Sequence, residues 1–271
     1  MKAMTAIGAL LVLGAQEGKD EPRDRVGKDK APAVLAKALA ETQKRKGAAI
    51  AEKVHLGEEL REVGTFEGVL RKDFAGVKGP AEVYAKGAAY LVNLGGRFDP
   101  PDKLEGEEAL TASSFRNPAL FLTEVGRLAA SAQFGPEETV DGRPCVALDL
   151  LADAALIKQY LREIAERIDR ALRGGRGGGL VGGRGAIFNV ANAMDEKATV
   201  ATFKLVVDRQ DLLVRRIDFT IRPKLKPNAV PADFRLPRLP LDNKTEILFT
   251  KWDEDVAFDV PFFIRSKWGL K

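Results

Sequence analysis

The chain reads as an α+β protein built on a curved antiparallel sheet, with a few helices laid over one face of it. Three observations predict this class. Apolar residues alternate with polar ones in many short segments, the period of a half-buried strand. Short breaks carrying Gly, Gly-Pro or Asp-Gly separate these segments, which favours hairpins and therefore antiparallel pairing. A few longer segments instead carry their apolar residues at helical spacing. At 271 residues and 45% hydrophobic, the chain has enough apolar surface for a real core, which excludes disorder of the whole chain.

The elements follow in order. Lys2 precedes an apolar run from Ala3 to Leu13 that ends in Leu13-Gly14-Ala15, the pattern of a secretory signal peptide over residues 1–15. The run falls short of the roughly 20 residues that cross a bilayer, and no other segment is apolar enough to span one. Gln16 stands where a bacterial lipoprotein signal has its acylated cysteine, so a soluble periplasmic or secreted protein is expected. Residues 16–30 hold five positive and five negative side chains and read as a charged, solvated linker. A single domain over 31–271 is expected beyond it.

Ala31 to Lys46 carries Val34, Leu35, Ala38 and Leu39 on one helical stripe that stops at Gly47. The period then becomes two: Ala48, Ile50, Val54 and Leu56 share one face, and Lys53 and His55 the other. Gly64, Phe66, Gly68, Leu70 and Phe74 alternate with Thr65, Glu67 and Arg71, and Val83, Tyr90 and Val92 continue the pattern. Asn117-Pro118 is a cap followed by proline at the first helical position, with Phe121, Val125, Leu128 and Ala132 as the stripe behind it. Glu138–Val140 and Cys145–Leu150 form a strand pair turned at Asp141-Gly142. Asp153 caps a long amphipathic helix with Leu156, Tyr160, Leu161, Ile164, Ile168 and Leu172 on one side and i, i+4 ion pairs on the other. Two strong strands, Thr199–Val207 and Leu213–Arg222, turn at Asp208–Asp211; a proline-rich covering loop leads to a last strand, Thr245–Trp252.

Composition removes much catalytic chemistry. One cysteine (Cys145) and one histidine (His55) exclude an intrachain disulfide and a Cys/His zinc site. None of the four serines, Ser113, Ser114, Ser131 and Ser266, lies in a G-x-S-x-G context. His55 reads as a solvent-facing strand residue and Cys145 as a buried thiol, and no catalytic residue, metal or cofactor is expected. The glycine-rich loop at 174–185 follows a helix and precedes a strand, the reverse of what a phosphate-cradling loop requires. Asn243-Lys244-Thr245 matches a glycosylation sequon, a short pattern common by chance. The net charge of +4 falls to +3 without residues 1–15 and is spread along the chain, so no nucleic-acid partner is expected.

Glycines inside strands, Gly64 and Gly68, permit a curved sheet that encloses apolar space. The segment Glu137-Glu138-Thr139-Val140-Asp141-Gly142-Arg143-Pro144-Cys145-Val146-Ala147-Leu148 resembles the E-T-V-D-G-x-P-C-x-x-L hairpin of envelope proteins with the lipoprotein-carrier fold, the LolA/LolB-like and LppX/LprG-like groups. Val207-Asp208-Arg209-Gln210-Asp211-Leu212-Leu213-Val214-Arg215-Arg216-Ile217 resembles their D-x-x-T-x-L-P-x-R-x hairpin, with Asp211 in place of Thr and Val214 in place of Pro. The resemblance implies an incomplete antiparallel β-barrel, a half-barrel, with helices closing its concave face over an apolar cavity. Some relatives carry lipoprotein acyl chains or lipids across the envelope; others act there as sensors. The expectation is a monomeric, non-enzymatic binding protein holding a lipid or acyl chain, with Phe66, Leu70, Val83, Tyr90, Phe203, Leu205, Phe219 and Ile221 as the apolar wall. The alternative is an envelope protein-interaction or regulatory module of the same fold with a packed core.

Overall fold

The computed structural model describes residues 25, 26, 29–57, 60–104, 115–174, 190–227 and 242–270. The strands are β1 (Ala48–Leu56), β2 (Arg61–Arg71), β3 (Phe74–Lys78), β4 (Glu82–Lys86), β5 (Ala89–Leu94), β6 (Arg97–Asp99), β7 (Gln133–Val140), β8 (Arg143–Leu151), β9 (Val200–Asp208), β10 (Val214–Arg222) and β11 (Asn243–Thr250). They form one antiparallel sheet in the order β6-β5-β4-β3-β2-β1-β11-β10-β9-β8-β7. The last strand pairs with the first, so β1 and β11 join the two halves at the centre. β6 and β7 are both edges; the sheet is not closed, which fits an open half-barrel. Asp141 and Gly142, both at positive φ (49° and 74°), make the tight β7–β8 turn whose twist matches the strands it joins.

The register fixes which residues share a face. Pairing of Glu52 with Phe66 and Ile247, and of Phe219 with Phe203 and Thr245, places Ile50, Phe66, Val83, Phe203, Phe219 and Phe249 on one side, the inner face. Helices α1 (Ala31–Gln43), α2 (Pro118–Arg127) and α3 (Ala154–Gly174) contribute Leu35, Phe121, Val125, Tyr160 and Ile164 to the same buried cluster. Their starts are built as the sequence predicts. Pro32 sits in the first turn of α1, the Asn117 side chain accepts from the Ala119 N–H at 3.1 Å, and Asp153 Oδ1 accepts from the Leu156 N–H at 2.8 Å. A short α4 (Val190–Ala193) and the C-terminal α5 (Phe262–Trp268) complete the described helices.

Three features depart from the expectations. Phe74 does not continue the face of Phe66 and Leu70. A turn at Lys72-Asp73 starts β3, and Phe74 pairs with Arg71 on the outer face. Second, α5 does not join the other helices. Ile264 and Val260 pack with Val69, Phe74, Tyr84 and Leu91 on the outer face, so β2 to β5 are covered on both sides at those four positions. Third, the charged stretch reaches the fold before residue 31: Val26 is buried, and Arg25 pairs with Glu41.

The expected signal peptide and the glycine-rich loop from residue 175 on lie outside the described residues, as does the proline-rich stretch at 228–241. Among the described residues no helix is long and apolar enough to cross a membrane.

Candidate functional site

The eight residues proposed for an apolar wall fall on one face of one sheet. Phe66, Leu70, Val83, Phe203, Leu205, Phe219 and Ile221 are buried in a single cluster, and half-buried Tyr90 packs against it. They form two groups on opposite sides of the central strands. On the β9–β10 side the Phe203 and Phe219 rings lie 4.8 Å apart, with Tyr160 of α3 at 4.7 Å and Phe121 of α2 at 5.4 Å from Phe219. On the β2–β5 side Phe115 lies 5.8 Å from Phe66 and 6.4 Å from Tyr90. The short stretch from Phe115 to Phe121 therefore straddles the inner face, one ring in each group.

Between those rings sits a polar cluster that sequence patterning does not reveal. Glu52 lies on the inner face of β1, flanked in register by Phe66 and Ile247, and is fully buried. Its Oε1 accepts the Arg116 N–H at 3.1 Å, while Oε2 has no hydrogen-bond partner among the described residues. Burial holds its carboxyl well above the ordinary value, outweighing the Arg116 N–H and the Arg116 charge. The Arg116 guanidinium pairs with Glu163 at 2.5 Å and stands 4.5 Å from the Tyr160 ring centroid. The Tyr160 hydroxyl donates to Glu124 of α2, whose carboxyl is also raised, chiefly by burial. The Tyr90 hydroxyl accepts the Asn117 N–H at 3.0 Å, and burial pushes its pKa up to about 12. Residues 116 and 117 are thus pinned to β1 and β5 through their backbone, and Arg116 ties that junction to α3.

Glu52 interrupts an otherwise apolar alternation, the one signal in the sequence that marked it. Its partner Arg116 is sixty-four positions away, so no local pattern could pair them.

The remaining candidates are ordinary. His55 points its Nδ1 at the Leu60 carbonyl, 3.2 Å away. Cys145 is buried with Val140 and Val206 on the outer face, and burial raises its thiol pKa. The sequon residues Asn243 and Thr245 are buried and bonded to each other at 3.2 Å, which leaves no access for a glycan. Among the described residues no group of three His, Cys, Asp or Glu side chains is placed to hold a metal. A groove of about 550 Å³ runs past Lys204, Asp218, Thr220 and Lys244, and Phe203 is the one wall candidate that borders it.

No protein-family model matches the chain, and no curated protein matches it. Solved structures do. The chain is similar to the lipoprotein LppX of Mycobacterium tuberculosis at 12% identity and a TM-score of 0.43, over 84% of this chain and 99% of that one. LprF from Mycobacterium bovis is similar at 13% identity and a TM-score of 0.37, over 85% and 96%. A LolA superfamily protein from Nitrosomonas europaea follows at 10% identity and a TM-score of 0.29, over 87% and 97%.

Proposed function

We propose that the protein is an exported, non-enzymatic binding protein that holds a lipid or acyl chain between the inner face of its sheet and a cover formed by α1, α2 and α3. Trafficking of that lipid or of an acylated protein within the envelope is the role this reading implies. One observation carries it. Seven of the eight wall residues lie in the same buried cluster as the three helices, Tyr90 packs against that cluster, and the stretch crossing the face is pinned there by a few polar contacts. On this reading the arrangement is the closed state. Opening would part Phe121 and Tyr160 from Phe203 and Phe219, and would release Arg116 from Glu52.

The test is extraction and native mass spectrometry of the full protein purified from its host. Co-purifying acyl lipid is expected, and added lipid should raise the melting temperature by mass action. A protein that is consistently empty and whose melting temperature ignores an added fatty-acid ester would overturn the reading.

The second reading, a packed module that binds another envelope protein, is favoured by the direct contact of rings across the cover, 4.7 Å between Tyr160 and Phe219. Phe219→Ala separates the two. In a packed module it costs about 3 to 5 kcal/mol, the loss expected for a large core ring. In a carrier the lost stability is partly restored by added acyl ligand filling the space.

A further inference from the structure

We propose that α5 is a membrane-docking element, in which the adjacent rings of Phe262 and Phe263 enter the headgroup boundary of an anionic lipid surface while Arg265 and Lys267 meet its phosphates. The helix is held to the outer face of the sheet by Ile264, which is fully buried, and by half-buried Trp268 one turn on. With that side fixed, the 3.6-residue turn sends Phe262 and Phe263 outward. They are 78% and 51% exposed, and Phe262 is the most exposed large hydrophobic residue among those described. The core contact is already made by Val260, Ile264 and Trp268, and Phe263 adds a contact to Phe98, so folding leaves the exposed ring of Phe262 unexplained.

The charges around the pair match a lipid surface. Arg265 and Lys267 are both exposed and lie on either side of the two rings around the helix. Lys267 Nζ is 5.7 Å from the Phe263 ring centroid, and the same ring leans on Phe98 of β6 at 5.8 Å. Arg97, beside Phe98, is exposed and pairs with Asp99; Asp259 is the acidic residue nearest to the pair along the chain. Rings flanked by cations are the pattern of a helix lying in a membrane interface, where apolar insertion and attraction to anionic headgroups add. Two exposed rings with an exposed cation on each side suit an anionic lipid surface, which ranks lipid ahead of a protein partner.

This inference is independent of what the inner face holds. Flotation of the full protein with phosphatidylglycerol–phosphatidylcholine vesicles tests it, with pure phosphatidylcholine vesicles as the comparison. Binding to the anionic vesicles is expected to exceed that to the neutral ones and to weaken as salt rises. Phe262→Ser with Phe263→Ser, and separately Arg265→Glu with Lys267→Glu, should each weaken it about tenfold or more. Because Phe263 touches Phe98, the single exposed-site variant Phe262→Ser carries the test if the double variant loses stability. No binding of the wild type to anionic vesicles, or equal binding by wild type and variants, overturns the proposal. So does a wild-type dimer, without vesicle binding, that Phe262→Ser dissociates, because the patch would then join two copies of this chain.

Discussion

Glu52 is where the inner face stops being apolar, and its environment sets a pH dependence of known sign. Burial raises its folded-state pKa above the ordinary 4.5, so the folded protein keeps a proton that the unfolded chain releases. Stability from this group is full below about pH 4.5 and is lost as pH rises toward the raised value. Glu124 and Asp218, both raised chiefly by burial, act in the same sense. Glu52→Gln keeps an acceptor for the Arg116 N–H and cannot ionise. Its melting temperature should therefore fall less than that of the wild type between about pH 5 and pH 8; parallel curves would sink the assignment. Asp208 is the opposite case. Burial pushes its carboxyl up, but the Gln210 N–H, Arg215 and Arg143 outweigh it and hold it below its ordinary value. Asp208→Ala would take one of two carboxylates from Arg215, which is 9% exposed and keeps Asp211, and urea unfolding should show a loss of about 1 to 3 kcal/mol. Asp208 was legible only as a turn residue, because its partner Arg143 comes from a different hairpin.

At the scale of elements, the sheet turns on close backbone approach. A Cβ at Gly68 of β2 would stand 1.9 Å from the Gly76 carbonyl oxygen of β3, and backbone cannot rotate away as a side chain can. Gly68→Ala should cost about 2 kcal/mol or more in chemical denaturation. Gly126, inside α2, meets only Leu39 Cδ1 at 3.4 Å, an ordinary contact. There alanine should stabilise by about 0.5 to 1 kcal/mol, because helical backbone entropy dominates. A Gly126→Ala protein less stable than the wild type would show that α2 and α1 pack more tightly than this distance indicates. The strands and the caps of α2 and α3 were readable because alternation, Asn-Pro and a leading Asp are local signals. The face of Phe74 was not, since a two-residue turn that reverses the chain leaves the apolar alternation almost unbroken. The placement of α5 on the outer face was also hidden: its seven residues carry too little periodicity to say which surface they meet.

For the whole molecule, the joining of β1 to β11 matters most, because it makes two meanders into one continuous inner face. Lipid retention, the response of Phe219→Ala to added acyl ligand, and vesicle docking through α5 are questions about that assembled object. The eight inner-face residues proposed as a wall were identifiable one by one from their alternation. Their gathering around Phe115 to Phe121 was not, because the contacts cross most of the chain.

The sequence by itself determined the α+β class, the antiparallel pairing, the main helix starts, the exclusion of an intrachain disulfide and of a Cys/His zinc site built from this chain alone, and the eight apolar positions. All of these follow from local periodicity, turn chemistry and residue counts. Only the tertiary structure decided that Glu52 and Arg116 meet beneath the helices, that the wall rings touch rings of α2 and α3, and that the outer face carries a helix of its own. Burial, and with it the raised carboxyl of Glu52 and the exposure of Phe262, is a property of what surrounds a residue, and those surroundings come from distant parts of the chain.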